Sequence, residues 1–251
     1  MMPEQLSRRA RYRRQTTEEA KQIALRQLAE SGPRGISLNA IAKEMGLTGP
    51  ALYRYFASRD ELLRTLVTDA HDDLAAAVRQ AAERSDGTPA AARLRTVASA
   101  YRNWALANAA RYRLALATPI DSGTPPPERL VAALQATVRA IVDALAALAP
   151  PAPTAGRDPA PATPSTDPGP APPAPSTEPG GPRRAQPEPW ARTLAGAVVP
   201  AALAHQGVVM WARLHGLVSL ELLDHFAHLG LDPDPLYDAE VDTAIATASQ
   251  V

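Results

Sequence analysis

The chain has 251 residues, with 26 basic and 26 acidic side chains, and 45% of its residues are hydrophobic. Cysteine is absent, which excludes disulfides, thiolate metal sites and cysteine nucleophiles. Aromatic residues make up only 4%, so the core must be built mainly from Ala, Leu and Val, which favours close-packed helices. The sequence has no apolar run of 18 residues and no apolar signal segment near its start, so we predict no membrane span and a cytoplasmic location.

Charge is distributed unevenly along the chain. Residues 1–60 hold 11 Lys and Arg against 6 Asp and Glu, whereas residues 61–251 hold 15 against 20. A basic front end on an acidic body predicts an anionic partner for the front end. Five arginines cluster in residues 1–15, which we predict to be a flexible basic arm: Arg8, Arg9, Arg11, Arg13 and Arg14.

Residues 16–62 carry three helical patterns in succession. The first begins near Thr17 and stops at Ser31-Gly32-Pro33. The second follows the capping residue Ser37 and ends at Gly46, and the third covers about 48–56. Two short helices joined by a tight glycine-containing turn predict a helix-turn-helix unit.

The rest of the chain also reads as helical. The predicted helices cover 59–84, 90–108, 109–117, 128–148, 190–229 and 238–248, and the stretch 190–229 is either one helix or two that meet at Pro200. Between them, residues 150–189 contain 15 prolines in 40 positions, which predicts a disordered, polyproline-biased insertion. The fold class is therefore all-α: an N-terminal three-helix helix-turn-helix domain over 16–62, and a larger C-terminal helical domain over 63–251.

The outward positions of the second short helix indicate nucleic-acid binding. They are small, aromatic or basic, with no acid that would repel phosphates. Arg54 can donate a two-pronged fork to guanine or phosphate, and Tyr53 and Tyr55 can donate to phosphates. The alternative is that Tyr53 packs between helices and Arg54 is an ordinary surface charge.

An ordered set of motifs over about residues 17–63 resembles the DNA-binding domain of the TetR family of transcriptional regulators. It comprises Ile23-Ala24, Gly32, Ile36-Ser37, Ile41-Ala42, Gly46-Leu47-Thr48, Leu52-Tyr53-Arg54-Tyr55-Phe56 and Arg59-Asp60-Glu61-Leu62. The family more often has His in place of Tyr55 and Lys in place of Arg59. The resemblance implies a homodimer, a palindromic double-stranded DNA operator and a C-terminal ligand-binding and dimerisation domain. By position it implies base-facing Leu38, Asn39, Thr48, Gly49, Pro50, Ala51 and Arg54, and phosphate-facing Ser37, Tyr53, Tyr55 and Arg59.

A second, looser resemblance lies in the C-terminal half. Trp211-Ala212-Arg213-Leu214-His215-Gly216 is similar to the Trp–His–Gly motif of one class of TetR C-terminal domains. Residues 101–105 and 112–114 are also typical of that class. The implied ligand-pocket candidates are Tyr101, Trp104, Tyr112, Trp211 and His215. The effector is expected to be small and largely apolar, because the body offers little paired charge.

Residues 190–229 carry more apolar surface than one core-facing stripe needs, which predicts a two-fold dimer interface. Its candidates are Leu194, Val198, His205, Val209, Leu217, Leu220 and Leu223, with Val241 and Ile245 of the final helix beside them.

The sequence predicts a repressor that a small ligand releases from its DNA operator, and it leaves an activator role open as an alternative. Phosphate-loop and nucleophile-elbow patterns are absent, so neither enzyme activity nor a cofactor is predicted. His225 and His228 are three residues apart but have no third ligand at a clear spacing, so no metal site is predicted. A rival of another class is a helical interaction or scaffold module with sequence-blind affinity for DNA.

Overall fold

The computed structural model describes residues 7–117, 125–149 and 199–249, and within them it contains helices and no strand. The polyproline-biased insertion predicted over 150–189 lies outside the described residues. The helices are α1 (Arg8–Ser31), α2 (Leu38–Glu44), α3 (Gly49–Leu52), α4 (Arg59–Arg84), α5 (Ala90–Ala107), α6 (Ala109–Ala117), α7 (Glu128–Ala146), α8 (Ala201–Leu222), α9 (His225–His228) and α10 (Pro233–Ala248).

Helices α1 to α3 form a small head around one apolar core. Leu28, Ile41, Leu52 and Phe56 are all buried in it. The turn between α2 and α3 passes through Gly46 at a φ of 67°, a left-handed conformation that favours glycine. Two short helices that are unstable alone are thereby held at a fixed angle by shared burial.

Helix α4 is continuous from the head into the body. Its start is capped by Ser58, whose hydroxyl accepts from Glu61 N–H (3.1 Å), while the Glu61 carboxylate accepts from the N–H of Ala57, one residue before the cap (2.5 Å). Its first half packs into the head core through Leu62 and Leu66, and its second half packs into the body. The helix therefore crosses the domain boundary predicted at residue 62.

In the body, α5 and α7 pack against α4, α8 packs against α7 and α5, and α10 packs against α8 and α5. Arg102 of α5 ties three helices together: it donates twice to Glu221 of α8 (2.8 and 2.7 Å) and once to Asp234 of α10 (2.5 Å). Its guanidinium also lies 5.1 Å from the ring centre of Tyr237, whose hydroxyl donates to Ala98 O (2.8 Å).

Four boundaries differ from the sequence prediction. The helix predicted over 190–229 ends at Leu222, just before Asp224, whose backbone is left-handed with a φ of 58°. The flexible arm over 1–15 is wrong for residues 8–15, because α1 begins at Arg8, where the Ser7 hydroxyl accepts from Ala10 N–H (3.2 Å). The second short helix ends at Leu52 rather than near residue 56. The chain continues from there as turns, and Phe56 at their end is buried in the head core. The last helix begins at Pro233 rather than at residue 238, because Asp232 caps it by accepting from Asp234 N–H (3.0 Å).

Candidate functional site

The exposed side of the head brings together most of the predicted DNA contacts. Six of them are exposed: Ser37, Asn39, Thr48, Pro50, Tyr53 and Arg54. Gly49 and Ala51, in the first turn of α3, and Tyr55, just after it, are half-buried. The small residues leave room for close approach, and Tyr53 and Arg54 flank them at the other end.

Gly49 lies directly against the Asn39 side chain. A Cβ atom at this position would lie 2.9 Å from the Asn39 side-chain oxygen. The Asn39 amide of α2 therefore rests against the start of α3, where the two helices expose their polar groups together.

Two predicted contacts have other partners. Leu38 is wrong as a base-facing residue, because its side chain is only 4% exposed in the head core, where an apolar side chain gains most. The Arg59 guanidinium donates to the carbonyls of Pro33 and Ile36 (3.1 Å to Ile36 O), so it fastens the segment before α2 to the start of α4. A phosphate contact by Arg59 stays a prediction that uses its remaining donors.

All five predicted pocket residues line one cavity in the body. Tyr101 and Trp104 reach it from α5, Tyr112 from α6, and Trp211 and His215 from α8. The sequence did not indicate the other walls, which are Ala70, His71 and Leu74 of α4, Ala115 and Leu116 of α6, and Leu134 and Thr137 of α7. The space open to a water-sized sphere is about 20 Å³, enough for about one water molecule.

The polar groups of the cavity bond to one another. The Tyr101 and Tyr112 hydroxyl oxygens are 2.9 Å apart, and they lie 3.2 and 3.0 Å from His215 Nδ1. The Trp211 and His215 ring centres are 5.8 Å apart. This triangle satisfies three polar side chains that the apolar surroundings would otherwise leave costly to bury.

Burial keeps this cavity uncharged near neutral pH. It raises the pKa of Tyr112 to about 12 and that of Tyr101 further, and it lowers the pKa of His215 and of His71. No Asp, Glu, Lys or Arg side chain lines the cavity within the described residues. Such a cavity favours an uncharged ligand, because an ion would lose its hydration without gaining an opposite charge.

A charged crevice joins the head to the body beside the cavity. Lys21 of α1 donates to Asp69 of α4 (2.7 Å), and both side chains are largely buried. Arg129 of α7 lies 3.5 Å from Asp69 and 2.5 Å from Asp72. Arg111 of α6 forms an ion pair with Asp73 of α4. Its guanidinium also stacks on the Trp104 ring, 5.6 Å from the ring centre. Helix α4 therefore contacts the head, α6 and α7 within about one turn.

The predicted dimer contacts are spread over several environments. Leu194 and Val198 lie outside the described residues. On α8, Val209 and Leu217 are half-buried and His205 is exposed; Leu220 at the end of the helix is 41% exposed, and Leu223 just after it is 54% exposed. Val241 of α10 is wrong as an interface residue, because it is buried in the core of its own chain.

In the part of the chain that the structure describes, no three His, Asp or Glu side chains are placed to hold a metal ion. None of the helices there is both long and apolar enough to span a bilayer.

A helix-turn-helix head whose recognition helix exposes no acid, joined to a helical body with an internal cavity, is typical of a DNA-binding transcriptional regulator. A family model described as tetracyclin repressor-like, C-terminal domain, matches residues 94–244, and one described as bacterial regulatory proteins, tetR family, matches residues 22–66. The chain belongs to the TetR family of transcriptional regulators. The narrower Trp–His–Gly class stays a prediction.

Similar proteins agree with this assignment. The HTH-type transcriptional regulators Rv1816 of Mycobacterium tuberculosis and Mb1846 of Mycobacterium bovis are each 40% identical over 131 residues, which are 51% of this chain and 56% of theirs. The match thus spans about half the length of these curated relatives. The crystal structure of the regulatory protein SCO4313 is 33% identical with a TM-score of 0.68, covering 94% of this chain and 98% of that one. The regulator PfmR from Thermus thermophilus, at 16% identity and a TM-score of 0.50 over 92% of this chain and 97% of that one, shares the fold.

Proposed function

We propose that this chain is a cytoplasmic repressor that binds a palindromic operator as a homodimer and leaves it when a small, uncharged, largely apolar effector enters the body. The family assignment supports the DNA-binding role, and the exposed face around Thr48, Tyr53 and Arg54 supports the site. The uncharged cavity around Tyr101, Tyr112 and His215 supports the nature of the effector.

The observation that carries this proposal is the position of three consecutive residues on α4. Asp69 bonds to Lys21 of the head, and the next two residues, Ala70 and His71, line the cavity. A shift of α4 at the cavity therefore also moves a contact of the head. Leu114 of α6 and Leu130 of α7 strengthen the connection, because both belong to the apolar core of the head.

The small size of the cavity implies that effector binding changes the conformation of the body. A space of about 20 Å³ cannot hold an effector of several heavy atoms, so the effector binds a wider state better than this one. If the cavity widens by a displacement of α4 relative to α6 and α7, the contacts of all three helices with the head move as well. Two heads that must enter successive major grooves, about 34–36 Å apart, lose their match to the operator when their spacing changes.

The test begins with a duplex that the wild-type chain selects from a random pool, and with a scrambled duplex of equal length. We expect the wild-type chain to bind the selected duplex much more strongly than the scrambled one. A screening set then supplies an uncharged aromatic compound that quenches the fluorescence of Trp104 and Trp211, which line the cavity. We expect this compound to release the chain from the selected duplex. In a matched variant, Ala115→Leu narrows the cavity without altering the head. It should bind the selected duplex normally and respond to the compound at least about tenfold less.

Two outcomes would contradict the proposal. Equal affinity for selected and scrambled duplexes would support the sequence-blind scaffold module instead. An Ala115→Leu chain that still released DNA with unchanged sensitivity would place the effector outside this cavity.

A further inference from the structure

We propose that the first two turns of α1, residues Arg8–Arg14, form a surface that binds the DNA backbone and enlarges the footprint of the recognition unit. The inference rests on the proposed function, since it assumes that the head meets DNA. Five of these seven residues are arginines, and the segment lies outside every DNA contact that the family resemblance implies.

The segment is ordered before any partner binds. It is helical and continuous with the rest of α1, with the Ser7 cap closing its first turn. A helix presents its side chains from a fixed backbone, so binding costs less ordering entropy than it would for a flexible arm.

Most of the positive charge of the segment has no partner in the part of the chain that the structure describes. Among the described residues, no side-chain hydrogen bond or ion pair involves the guanidinium groups of Arg8, Arg9, Arg11 and Arg14, and all four side chains are exposed. The first acid of the described chain is Glu18, a full turn beyond the segment. Arginines that repel one another and have no acidic partner among the described residues favour a polyanionic partner.

One contact places this surface beside the recognition unit. The Arg13 guanidinium lies 5.8 Å from the ring centre of Tyr55, a predicted phosphate contact that follows α3. From Arg13 the helix rises about 1.5 Å per residue, so Arg8 stands about 7.5 Å farther along the axis. That distance corresponds to about two base pairs of B-DNA at about 3.4 Å each.

The composition of the segment favours phosphates over a protein partner. Its other residues are Ala10 and Tyr12, so it offers little of the clustered apolar surface that anchors a protein interface. Arginine suits phosphate because its planar fork can donate two hydrogen bonds to one group.

The experiment compares two triple variants of the full chain. Arg8→Gln/Arg9→Gln/Arg11→Gln removes three charges from the segment while keeping good helix formers. Arg79→Gln/Arg84→Gln/Arg95→Gln removes three exposed charges from α4 and α5, far along the chain from the head. Affinities for the selected and the scrambled duplex are measured between about 50 and 200 mM salt.

We expect the segment variant to bind both duplexes at least about tenfold more weakly at low salt, with the ratio between them unchanged. The slope of log affinity against log salt should become shallower by about 0.9 for each phosphate that the variant no longer neutralises, up to about 5 for six phosphates in a dimer. The control variant should match the wild type.

The inference is overturned if the segment variant matches the control in affinity and salt slope, or if it loses selectivity with an unchanged slope. Failure of the proposed function would look different, because the wild type itself would then show no preference for the selected duplex.

Discussion

At the scale of single residues, the buried histidines make stability depend on pH. Burial lowers the pKa of His71 and His215 in the folded chain, while in the unfolded chain both titrate near 6.5. Below that pH the unfolded state binds protons that the folded state does not, so acid favours unfolding. The contribution of these two histidines to the free energy of unfolding is therefore fully present above about pH 7, and it is lost as the pH falls through about 6.5.

We expect chemical denaturation of the wild type to show this decline between about pH 7.5 and 5.5, where carboxylates are still mostly ionised. One histidine contributes a slope of at most about 1.4 kcal/mol per pH unit. His215→Gln should be less stable than the wild type at about pH 7.5 but should lose less stability on acidification. An unchanged slope in His215→Gln would mean that His215 is not protonated on unfolding in this range.

On the head, substitutions of Tyr53 and Arg54 should distinguish a contact with the DNA backbone from a contact that recognises a base. Tyr53→Phe and Tyr53→Ala should weaken binding to all duplexes alike, because a phosphate contact carries no base information. Arg54→Ala should cost roughly 1–3 kcal/mol and relax the preference at one base pair of each half-site. Affinities across single-base variants of the selected duplex measure both effects. An equal loss on every duplex would make Arg54 a phosphate contact.

The family resemblance implied which residues lie together in the body, but the sequence did not predict how single side chains are oriented. The five pocket candidates that the resemblance implied do line one cavity. Sequence reasoning missed His71, although it lies three residues before Leu74 on the buried face of α4. The family resemblance implied that Leu38, which follows the capping residue Ser37, faces DNA. Its side chain instead points into the head core, because burying an apolar side chain lowers the free energy of the folded state.

At the scale of helices, capping chemistry decided what could be predicted. Helix α4 has its predicted length because Ser58 and Glu61 mark its start and Gly87 follows its end. The start of α1 could not be told from composition, because a run of arginines is typical of a solvated arm. Arginine is nevertheless a good helix former, and Ser7 caps the first turn.

The crossing of α7 and α8 depends on Gly207. A Cβ atom there would lie 2.4 Å from Val142 Cγ2, so the helices approach too closely for any side chain. We expect Gly207→Ala to lower the melting temperature, despite the higher helix propensity of alanine, at a cost of roughly 1–3 kcal/mol. Gly216→Ala on the same helix meets nothing within 4 Å of this chain and should be neutral or stabilising. A Gly207→Ala chain as stable as Gly216→Ala would contradict this close crossing.

At the scale of the whole molecule, the junction of head and body could not be predicted from sequence. Leu114 and Leu130 lie far along the chain from the head, yet both are buried in its core. Local periodicity identifies a buried face but does not say which distant face covers it. The link between cavity and head therefore emerges only when α4, α6 and α7 are seen together.

The exposed apolar surface of the body supports the proposed homodimer, in which two heads bind one operator. Of the nine large apolar side chains exposed in the described residues, five lie between residues 220 and 236, around the end of α8 and the start of α10. A second copy can cover such a surface through a two-fold contact. Leu220 and Leu223 therefore remain predicted interface residues of the homodimer.

Leu220→Glu should split this dimer, because each interface would then bury two unpaired carboxylates. Light scattering should report half the wild-type mass, circular dichroism should report unchanged helix content, and operator affinity should fall by at least about a hundredfold, since each half-site then binds alone. Leu106→Glu places the same charge on a leucine of similar exposure (37%, against 41% for Leu220) on α5, and it should leave both mass and affinity intact. Full operator affinity from a monomeric Leu220→Glu chain would refute both this interface and the need for two heads on one operator.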